Sequence, residues 1–245
     1  HEVVESPAQA REAAQAFGRF VRLLADLPGP RLHETIPGFH DTPQRFRTLA
    51  RAVTNDTCNR ARSAAPEITF ALQREPLASV LQNLHARGHI PERITHNDTK
   101  FNNILMDADT GRGLCVTDLD TVMPGLTLHD FGDMVRTTTS PAAEDEPDLG
   151  KVTMQLPMFE ALVRGYLDAL GPYLNSLERQ HLAFAGKLIT FEIGLRFLTD
   201  YLQGDIYFKT HRPGHNLDRC RTQFKLVQSM EEQEESMQAL LSQLG

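Results

Sequence analysis

The sequence predicts an α+β fold, predominantly helical, in which a helical body carries one small segment of strands and loops. Apolar residues recur at helical spacing in the first 90 residues and again beyond residue 125. Between these stretches lie three short apolar runs bounded by polar or glycine-containing turns, a pattern typical of short strands. The chain has 245 residues, 40% of them hydrophobic, so it can bury a sizeable core as one unit over residues 1–245.

The first helix is predicted to begin at Ser6 and Pro7. Serine caps helix N-termini, proline suits the first helical position, and Gln9 stands three residues after the cap. Apolar residues continue at helical spacing to Leu24, and the run of Leu, Pro, Gly and Pro at 27–30 ends the helix.

Four further helices are indicated along the chain. Residues 31–43, rich in Pro, Gly and His, are predicted as a loop, and helices follow near 43–53 and 75–86. Later in the chain, a stripe of Phe, Leu and Ile over 184–202 is wide enough to predict a helix that is buried on most sides. A last helix is predicted over 216–243, with its acidic stretch facing solvent.

The three short strands are predicted at 94–95, 104–106 and 114–117. The residues between the second and third runs are rich in turn formers, so these two runs are predicted to form a hairpin. Cys115, inside the third apolar run, is predicted to be buried.

Composition excludes several classes of protein. The 25 Lys and Arg residues are outnumbered by 32 Asp and Glu, so the net charge is -7 and no basic excess exists for binding nucleic acid. Three scattered cysteines make neither a disulfide framework nor a zinc site. No apolar run reaches the ~20 residues of a membrane helix, and the polar first segment is not a signal peptide. We therefore expect a cytoplasmic protein that binds neither nucleic acid nor membrane, and its oligomeric state stays open.

The residues that can carry chemistry are concentrated around the predicted strands. Asp98 and Asn103 lie five residues apart on a loop, in a His-x-Asp-x4-Asn pattern that begins at His96, and the third apolar run ends at Asp118 and Asp120. Phosphoryl transfer needs such a set, because one carboxylate accepts the proton of the acceptor hydroxyl and other oxygens hold Mg²⁺ on the phosphates. The hairpin would return the second carboxylate to the loop. The pattern therefore predicts a phosphotransferase site.

The loop from His96 to Asn103 resembles the catalytic loop of the aminoglycoside phosphotransferase and choline kinase superfamily, whose fold is protein-kinase-like. Three longer stretches are similar to N-acetylhexosamine 1-kinases: THNDTKFNNILMD, CVTDLDTVMPGLTLHDFGDMVRTTT and GDIYFKTHRPGHNLDRCRTQFKL. The match is strong over about 94–139 and supportive over 191–226. The resemblance implies a kinase that transfers phosphate from ATP to the anomeric hydroxyl of GlcNAc or GalNAc.

The resemblance also implies roles for individual residues. Asp98 is the expected catalytic base, and Asn103 and Asp118 are the expected Mg²⁺ ligands. Arg196 and Tyr207 match positions that contact the sugar, although Tyr207 read without the resemblance is a packing aromatic. The implied cofactors are ATP and Mg²⁺, and the implied partner is a small-molecule sugar substrate.

Other polar residues leave alternatives open. Lys100 is either a phosphate contact or a solvated loop charge, and Asp120 is either a second metal or sugar contact or a cap of the strand end. A polar seam runs along the long apolar helix, and such a seam must face partners or a cleft. Its members are Glu192, Arg196, Asp200 and Gln203. The alternative for Glu192 and Arg196 is an ordinary salt bridge.

Two residues are predicted to support the loop and not to react. The imidazole of His96 is expected to brace the loop backbone. Asp130 stands in the stretch His-Asp-Phe-Gly-Asp, which suggests a kinase metal-binding triplet but follows the metal-binding segment of this chain. Asp130 is therefore predicted to brace the catalytic loop.

The groups with which kinases hold nucleotide phosphates are not evident. No glycine-rich phosphate loop occurs, and nothing ahead of residue 94 resembles a strand lysine paired with a helix glutamate. In the resembled family these parts lie in an N-terminal lobe of roughly a hundred residues. Since the chain also begins at His1, we expect a C-terminal, catalytic and substrate-binding lobe whose N-terminal lobe is missing. Such a chain would keep the base, metal and sugar groups but little of the nucleotide site.

Three alternative functions remain open. The same residues suit a kinase of another small alcohol, such as an aminoglycoside or choline. They also suit a non-catalytic sugar-binding pseudokinase lobe, or a Mg²⁺-dependent hydrolase using the same carboxylates. The preferred hexosamine epimer is not indicated.

Overall fold

The computed structural model describes residues 4–244, which form a mostly helical body with a few short strands. No helix in this range has both the length and the apolar character that crossing a bilayer requires. The helices are α1 Pro7–Leu23, α2 Thr42–Asn55, α3 Ala65–Gln73, α4 Val80–Ala86, α5 Thr127–Thr138, α6 Leu156–Leu170, α7 Ser176–Gln180, α8 Leu182–Gln203, α9 His215–Glu232 and α10 Glu234–Leu244. The strands are β1 Arg93–Thr95, β2 Ile104–Met106, β3 Gly113–Val116 and β4 Met123–Gly125.

Helix α1 begins where the sequence predicts. The Ser6 hydroxyl accepts a hydrogen bond from the backbone N–H of Gln9 at 3.3 Å, and Pro7 occupies the first turn, where its missing N–H costs nothing. The buried face of α1 is built largely of alanine, so its backbone approaches α6 closely. At this crossing Gly165 of α6 lies so near the carbonyl oxygen of Arg11 that no side chain fits between them.

Helix α8 is the centre of the fold, and the prediction that it is buried on most sides is confirmed. It packs against α2, α5 and α9. Its contact with α5 is close because Gly132 of α5 lies directly against the carbonyl oxygen of Ala185. Helix α5 is in turn buried along nearly its whole length, polar residues included. Helix α5 contacts the strand and turn on either side of Asp98, and α8 packs against α5.

The strands form two antiparallel pairs, β1 with β4 and β2 with β3. Strand β4 is not among the predicted strands, because three residues including Pro124 carry no period and are defined only by pairing with β1. The prediction that Cys115 is buried is wrong, since its side chain is exposed. A two-stranded pair covers little of its own surface, and its neighbours Leu105 and Leu114 are exposed as well.

The helices differ from the prediction in several places. Helices α3, α5, α6 and α7 were not individually predicted. The helix expected at 75–86 divides into a 3-10 turn over Glu75–Ser79 and α4. The last predicted helix is two helices, because Gln233 leaves helical geometry between α9 and α10. Its side chain donates to the Met154 carbonyl at 2.8 Å, a tertiary contact that no helical period encodes.

The α1–α6 crossing makes a testable stability prediction. Replacing Gly165 by alanine forces the two backbones apart, so we expect the free energy of unfolding to fall by about 1–3 kcal/mol in urea titrations. Gly171→Ala is the matched control, because the nearest atom to its added methyl is 3.7 Å away, an ordinary contact distance. Equal stability of the two variants would contradict the close approach.

Candidate active site

The loop that carries Asp98 is held by a buried carboxylate of α5. The two oxygens of Asp130 accept hydrogen bonds from the backbone N–H groups of His96 and Asn97, at 2.9 and 2.7 Å. Burial raises the pKa of Asp130 to about 6, although both amide donors favour its ionised form. The prediction that Asp130 braces the catalytic loop is confirmed.

A second carboxylate on the same helix extends this support. Asp133 accepts the N–H of Thr99 at 3.0 Å and pairs with Arg136 at 2.9 Å, while the Thr99 hydroxyl donates to the Asp130 carbonyl at 2.6 Å. Burial disfavours the charged carboxyl, but the charges of Arg136 and Lys100 lower the pKa of Asp133 below its usual value. The supporting role of Asp133 was not predicted from the sequence. Its spacing of three residues from Asp130 was an available signal, because residues three apart share a helix face.

His96 joins the loop to the end of β3. Its Nε2 lies 2.9 Å from the Thr117 carbonyl oxygen, and its Nδ1 lies 3.3 Å from the Asp98 backbone nitrogen. These partners require the neutral tautomer, with the proton on Nε2 and the acceptor at Nδ1. The rings of Phe17 and Phe20 pack edge-on against the buried imidazole. The structure confirms that His96 braces the loop backbone.

Asn97 turns the chain so that Asp98 leaves the core. Its φ is +65°, in the left-handed region that asparagine tolerates better than most residues. Its side-chain amide donates to the carbonyl oxygens of Thr121 and Thr95, at 3.0 and 3.3 Å. Asn97 is buried, whereas a quarter of the Asp98 side chain is exposed. The carboxylate thus reaches solvent from a fixed backbone.

Asp98, Asn103 and Lys100 lie in contact. The Asn103 amide nitrogen donates to the Asp98 carbonyl at 2.8 Å and to its carboxylate at 3.1 Å, and the Lys100 ammonium lies 2.9 Å from the other carboxylate oxygen. Because the amide nitrogen of Asn103 faces Asp98, its amide oxygen remains available as a ligand. The Asp98 carboxylate therefore has a hydrogen-bond donor and a cation as neighbours and is open to solvent.

Asp118 follows the end of β3, beside Asn103. The N–H of Thr117 donates to the Asn103 carbonyl at 2.8 Å, which ties these two segments together. Asp118 is exposed and has φ of +58°, and within residues 4–244 its carboxylate has neither a hydrogen bond nor an ion pair. Over the same range no cluster of three or more His, Cys, Asp or Glu side chains is placed to hold a metal ion. A metal ion bound here would be held by Asn103, Asp118 and oxygen atoms of a bound substrate.

A cavity of about 390 Å³ opens beside Asp98. Seven residues were predicted to contact the substrate, the phosphates or the metal, and four of them line this cavity: Asp98, Lys100, Arg196 and Tyr207. Asn103, Asp118 and Asp120 do not line it. Asp120 is exposed, and its carbonyl oxygen accepts a hydrogen bond from the Thr35 hydroxyl at 3.1 Å.

Arg196 lies in this cavity among aromatic rings and not beside a carboxylate. Its guanidinium carbon is 5.5 Å from the ring centroid of Phe39, 5.8 Å from that of Tyr207 and 5.4 Å from that of Phe208. Burial lowers the pKa of Arg196 below its usual value. In the described part of the chain no carboxylate lies within 4.0 Å of its nitrogens. A ligand in the cavity would therefore meet a cation that has no protein counter-ion.

The predicted polar seam on α8 is divided between different partners. Glu192 does not form the alternative salt bridge with Arg196, because its two oxygens lie 2.8 Å from His40 Nδ1 and 2.5 Å from the Thr42 hydroxyl. Asp200 accepts the backbone N–H groups of residues 206–208 at 2.8–2.9 Å. It thereby fixes the turn that presents Tyr207, whose side chain is 71% exposed. Of the four seam residues, Gln203 included, only Arg196 lines the cavity beside Asp98.

We predict that Asp130→Asn loosens the catalytic loop without unfolding the protein. The amide oxygen of asparagine can accept only one of the two N–H groups, and its NH₂ group confronts the other. Amides of residues 96 and 97 should exchange with deuterium about 10-fold faster, measured by mass spectrometry on the peptide over 93–101. Asp168→Asn is the control, since it makes the same change in an exposed ion pair with Arg11. Unchanged exchange in Asp130→Asn would contradict the role.

The chain is similar to proteins of known structure. The structure is similar to that of a microcompartment-associated aminopropanol kinase, with a TM-score of 0.58 and 18% identity, covering 97% of this chain and 65% of that one. It is also similar to choline kinase from Cryptosporidium parvum Iowa II, with a TM-score of 0.54 and 13% identity, covering 97% of this chain and 69% of that one. The chain thus spans about two thirds of the length of each and shares their fold. The model of the phosphotransferase enzyme family APH matches residues 1–174, and the chain belongs to that family.

Proposed function

We propose that residues 1–245 are the catalytic and acceptor-binding lobe of an ATP- and Mg²⁺-dependent kinase that phosphorylates the anomeric C1 hydroxyl of an N-acetylhexosamine. One observation carries the proposal: the carboxylate of Asp98 shares a cavity with Arg196, a cation that has no carboxylate partner among the described residues. Family membership supports phosphoryl transfer as the reaction. The three stretches similar to N-acetylhexosamine 1-kinases support the sugar.

In this mechanism Asp98 orients the acceptor and takes its proton. The C1 oxygen attacks the γ-phosphorus of ATP, its proton passes to the Asp98 carboxylate, and the bond from that phosphorus to the β-phosphate oxygen breaks to leave ADP. The Asn103 amide, 3.1 Å from that carboxylate, directs the second oxygen of Asp98. Because the N–H groups before and after Asp98 are held by α5, the base needs little reorganisation.

Asn103 and Asp118 suit Mg²⁺, which accepts one or two protein oxygens and completes its shell with water and phosphate. The amide oxygen of Asn103 and the carboxylate of Asp118, both without a partner in the described part of the chain, supply such a pair. When bound, Mg²⁺ would neutralise the charge of the phosphates. Lys100, half-exposed beside Asp98, is the proposed cationic contact for the transferred phosphate, and its pairing with Asp98 holds it at the cavity until substrate binds.

The charges of the cavity distinguish between acceptors. Of the cations that line the cavity, Lys100, Arg136 and Arg219 each have a carboxylate partner. Arg196 and Lys209 have none among the described residues, so the lining has an excess of positive charge. This excess repels a cationic amino alcohol and suits an oxygen-rich, uncharged acceptor. The ring of Tyr207 can cover the apolar face of a sugar, as aromatic side chains do. An amino alcohol remains the alternative, because the fold is shared with an aminopropanol kinase and a choline kinase.

An acceptor panel tests the proposal. Full-length protein with ATP and Mg²⁺ should release ADP with GlcNAc or GalNAc and little with choline, aminopropanol or kanamycin. Asp98→Asn should lower kcat by at least about 100-fold, because the general base is lost, while sugar affinity measured by calorimetry changes only a few-fold. ADP release with choline or aminopropanol alone would favour the alternative. Phosphate release that needs no acceptor would indicate a hydrolase, and sugar binding without turnover would indicate a pseudokinase.

The role of Arg196 makes a separate prediction. Arg196→Gln removes the charge but keeps hydrogen-bonding capacity, so kcat/KM for the hexosamine should fall by about 10- to 100-fold, the usual worth of a hydrogen bond from a charged group. The same variant should accept choline better than the wild type does. Arg164→Gln is the control, because Arg164 forms an exposed ion pair on α6. Equal losses in the two variants would exclude Arg196 from the acceptor site.

A further inference from the structure

The segment between α1 and α2 reaches the candidate site at three points. The Thr35 hydroxyl donates to the carbonyl of Asp120, and the ring of Phe39 faces the Arg196 guanidinium at 5.5 Å. His40 follows directly and is buried against α8 and the catalytic loop. This segment has no regular secondary structure, so something other than backbone ladders must hold it.

His40 is that anchor. Its Nδ1 lies 2.8 Å from one oxygen of Glu192, while the Thr42 hydroxyl lies 2.5 Å from the other. The side chains of His40 and Glu192 are 5% and 0% exposed, so the pair is shielded from water. Both oxygens of Glu192 are occupied, which fixes the plane and direction of the imidazole.

The second nitrogen of His40 points at the catalytic loop. Its Nε2 lies 3.4 Å from the carbonyl oxygen of Asn97, at the long end of hydrogen-bond distances. Asn97 is the left-handed residue immediately before Asp98, and its N–H is already held by Asp130. Asn97 is therefore held through both of its backbone polar groups, its N–H by Asp130 of α5 and its carbonyl by His40.

We propose that His40 is a positioning residue: anchored by Glu192, its imidazole donates from Nε2 to the Asn97 carbonyl and sets the direction of the Asp98 carboxylate. This inference rests on the proposed function only for its kinetic readout. Its structural readout is the order of the catalytic loop itself.

The surrounding charges favour the imidazolium form, which has a proton on both nitrogens. Burial disfavours that form, but the charge and hydrogen bond of Glu192 outweigh it and raise the pKa of His40 above 6.5. Asp133 of α5 adds to the rise and Arg196 of α8 opposes it. The adjacent ring, His129, has a pKa lowered to about 3 by burial and by His40, so it is neutral.

The hydrogen bond from His40 to the Asn97 carbonyl depends on the protonation of the imidazole. Below the raised pKa of His40, Nε2 carries a proton and donates to the Asn97 carbonyl. Above it, the remaining proton stays on Nδ1 facing Glu192, and the Nε2 lone pair confronts the carbonyl oxygen. The grip on Asn97 is therefore present at low and neutral pH and is lost as the pH rises through a value above 6.5.

His40→Gln in the full-length protein tests the proposal, with His215→Gln as the matched control. His215 is also buried and also has a carboxylate partner, Asp145 at 2.9 Å, but it does not contact the catalytic loop. We expect His40→Gln to speed deuterium exchange in the 93–101 peptide by about 10-fold. It should lower kcat by about 10- to 100-fold with KM changed only a few-fold. The alkaline decline of kcat in the wild type should disappear.

A second variant covers the case in which His40→Gln does not fold. Glu192→Gln keeps an oxygen acceptor for Nδ1 but removes the charge that favours the imidazolium, so the alkaline decline should move to lower pH. If no acceptor is phosphorylated, the proposed function fails while deuterium exchange still decides this inference. Exchange in His40→Gln equal to that in His215→Gln, or an unmoved alkaline decline in Glu192→Gln, would show that the pair serves only stability and would overturn the proposal.

Discussion

The candidate site depends on two buried carboxylates of one helix accepting the backbone amides of one loop. A loop outside regular secondary structure must find partners for its N–H groups elsewhere when it is buried. Asp130 and Asp133 supply them for residues 96, 97 and 99, at 2.7–3.0 Å. Because α5 is itself wedged against α8, with Gly132 against a carbonyl of that helix, these carboxylates cannot move away. The loop is therefore held in place by the packed helices of the core.

Two charged residues of α8, Glu192 and Arg196, differ in whether a partner of opposite charge lies beside them in the described part of the chain. Glu192 is satisfied by His40 and Thr42, and burying that ion pair is tolerable only because both oxygens have partners. Arg196, one turn further along α8, lies among three aromatic rings and has no carboxylate partner within residues 4–244. A half-buried cation without a counter-ion costs stability unless a ligand compensates it. Its position beside Asp98 supports the proposal of an electron-rich acceptor.

Local sequence patterns predicted much of the fold. Ser6 and Pro7 placed the first helix because capping involves only neighbouring residues. The apolar stripe on α8 revealed a buried helix because its period continues over residues 184–202. The signals failed where a contact distant in sequence decides the outcome. Strand β4 exists only by pairing with β1, and the break at Gln233 accompanies a hydrogen bond to Met154. Cys115 was misjudged because strand patterning does not reveal whether anything covers the pair.

For the site, the sequence by itself determined the chemical inventory: a loop carboxylate at 98, an amide five residues later, and a carboxylate at the strand end. That spacing is local and can be read without a structure. Only the tertiary structure decided that Arg196 faces the Asp98 cavity while Glu192 turns to His40, and that Asp133 supports the loop together with Asp130. The physical reason is that the direction of a buried polar side chain is set by which partners satisfy it, and those partners lie up to 152 residues away along the chain.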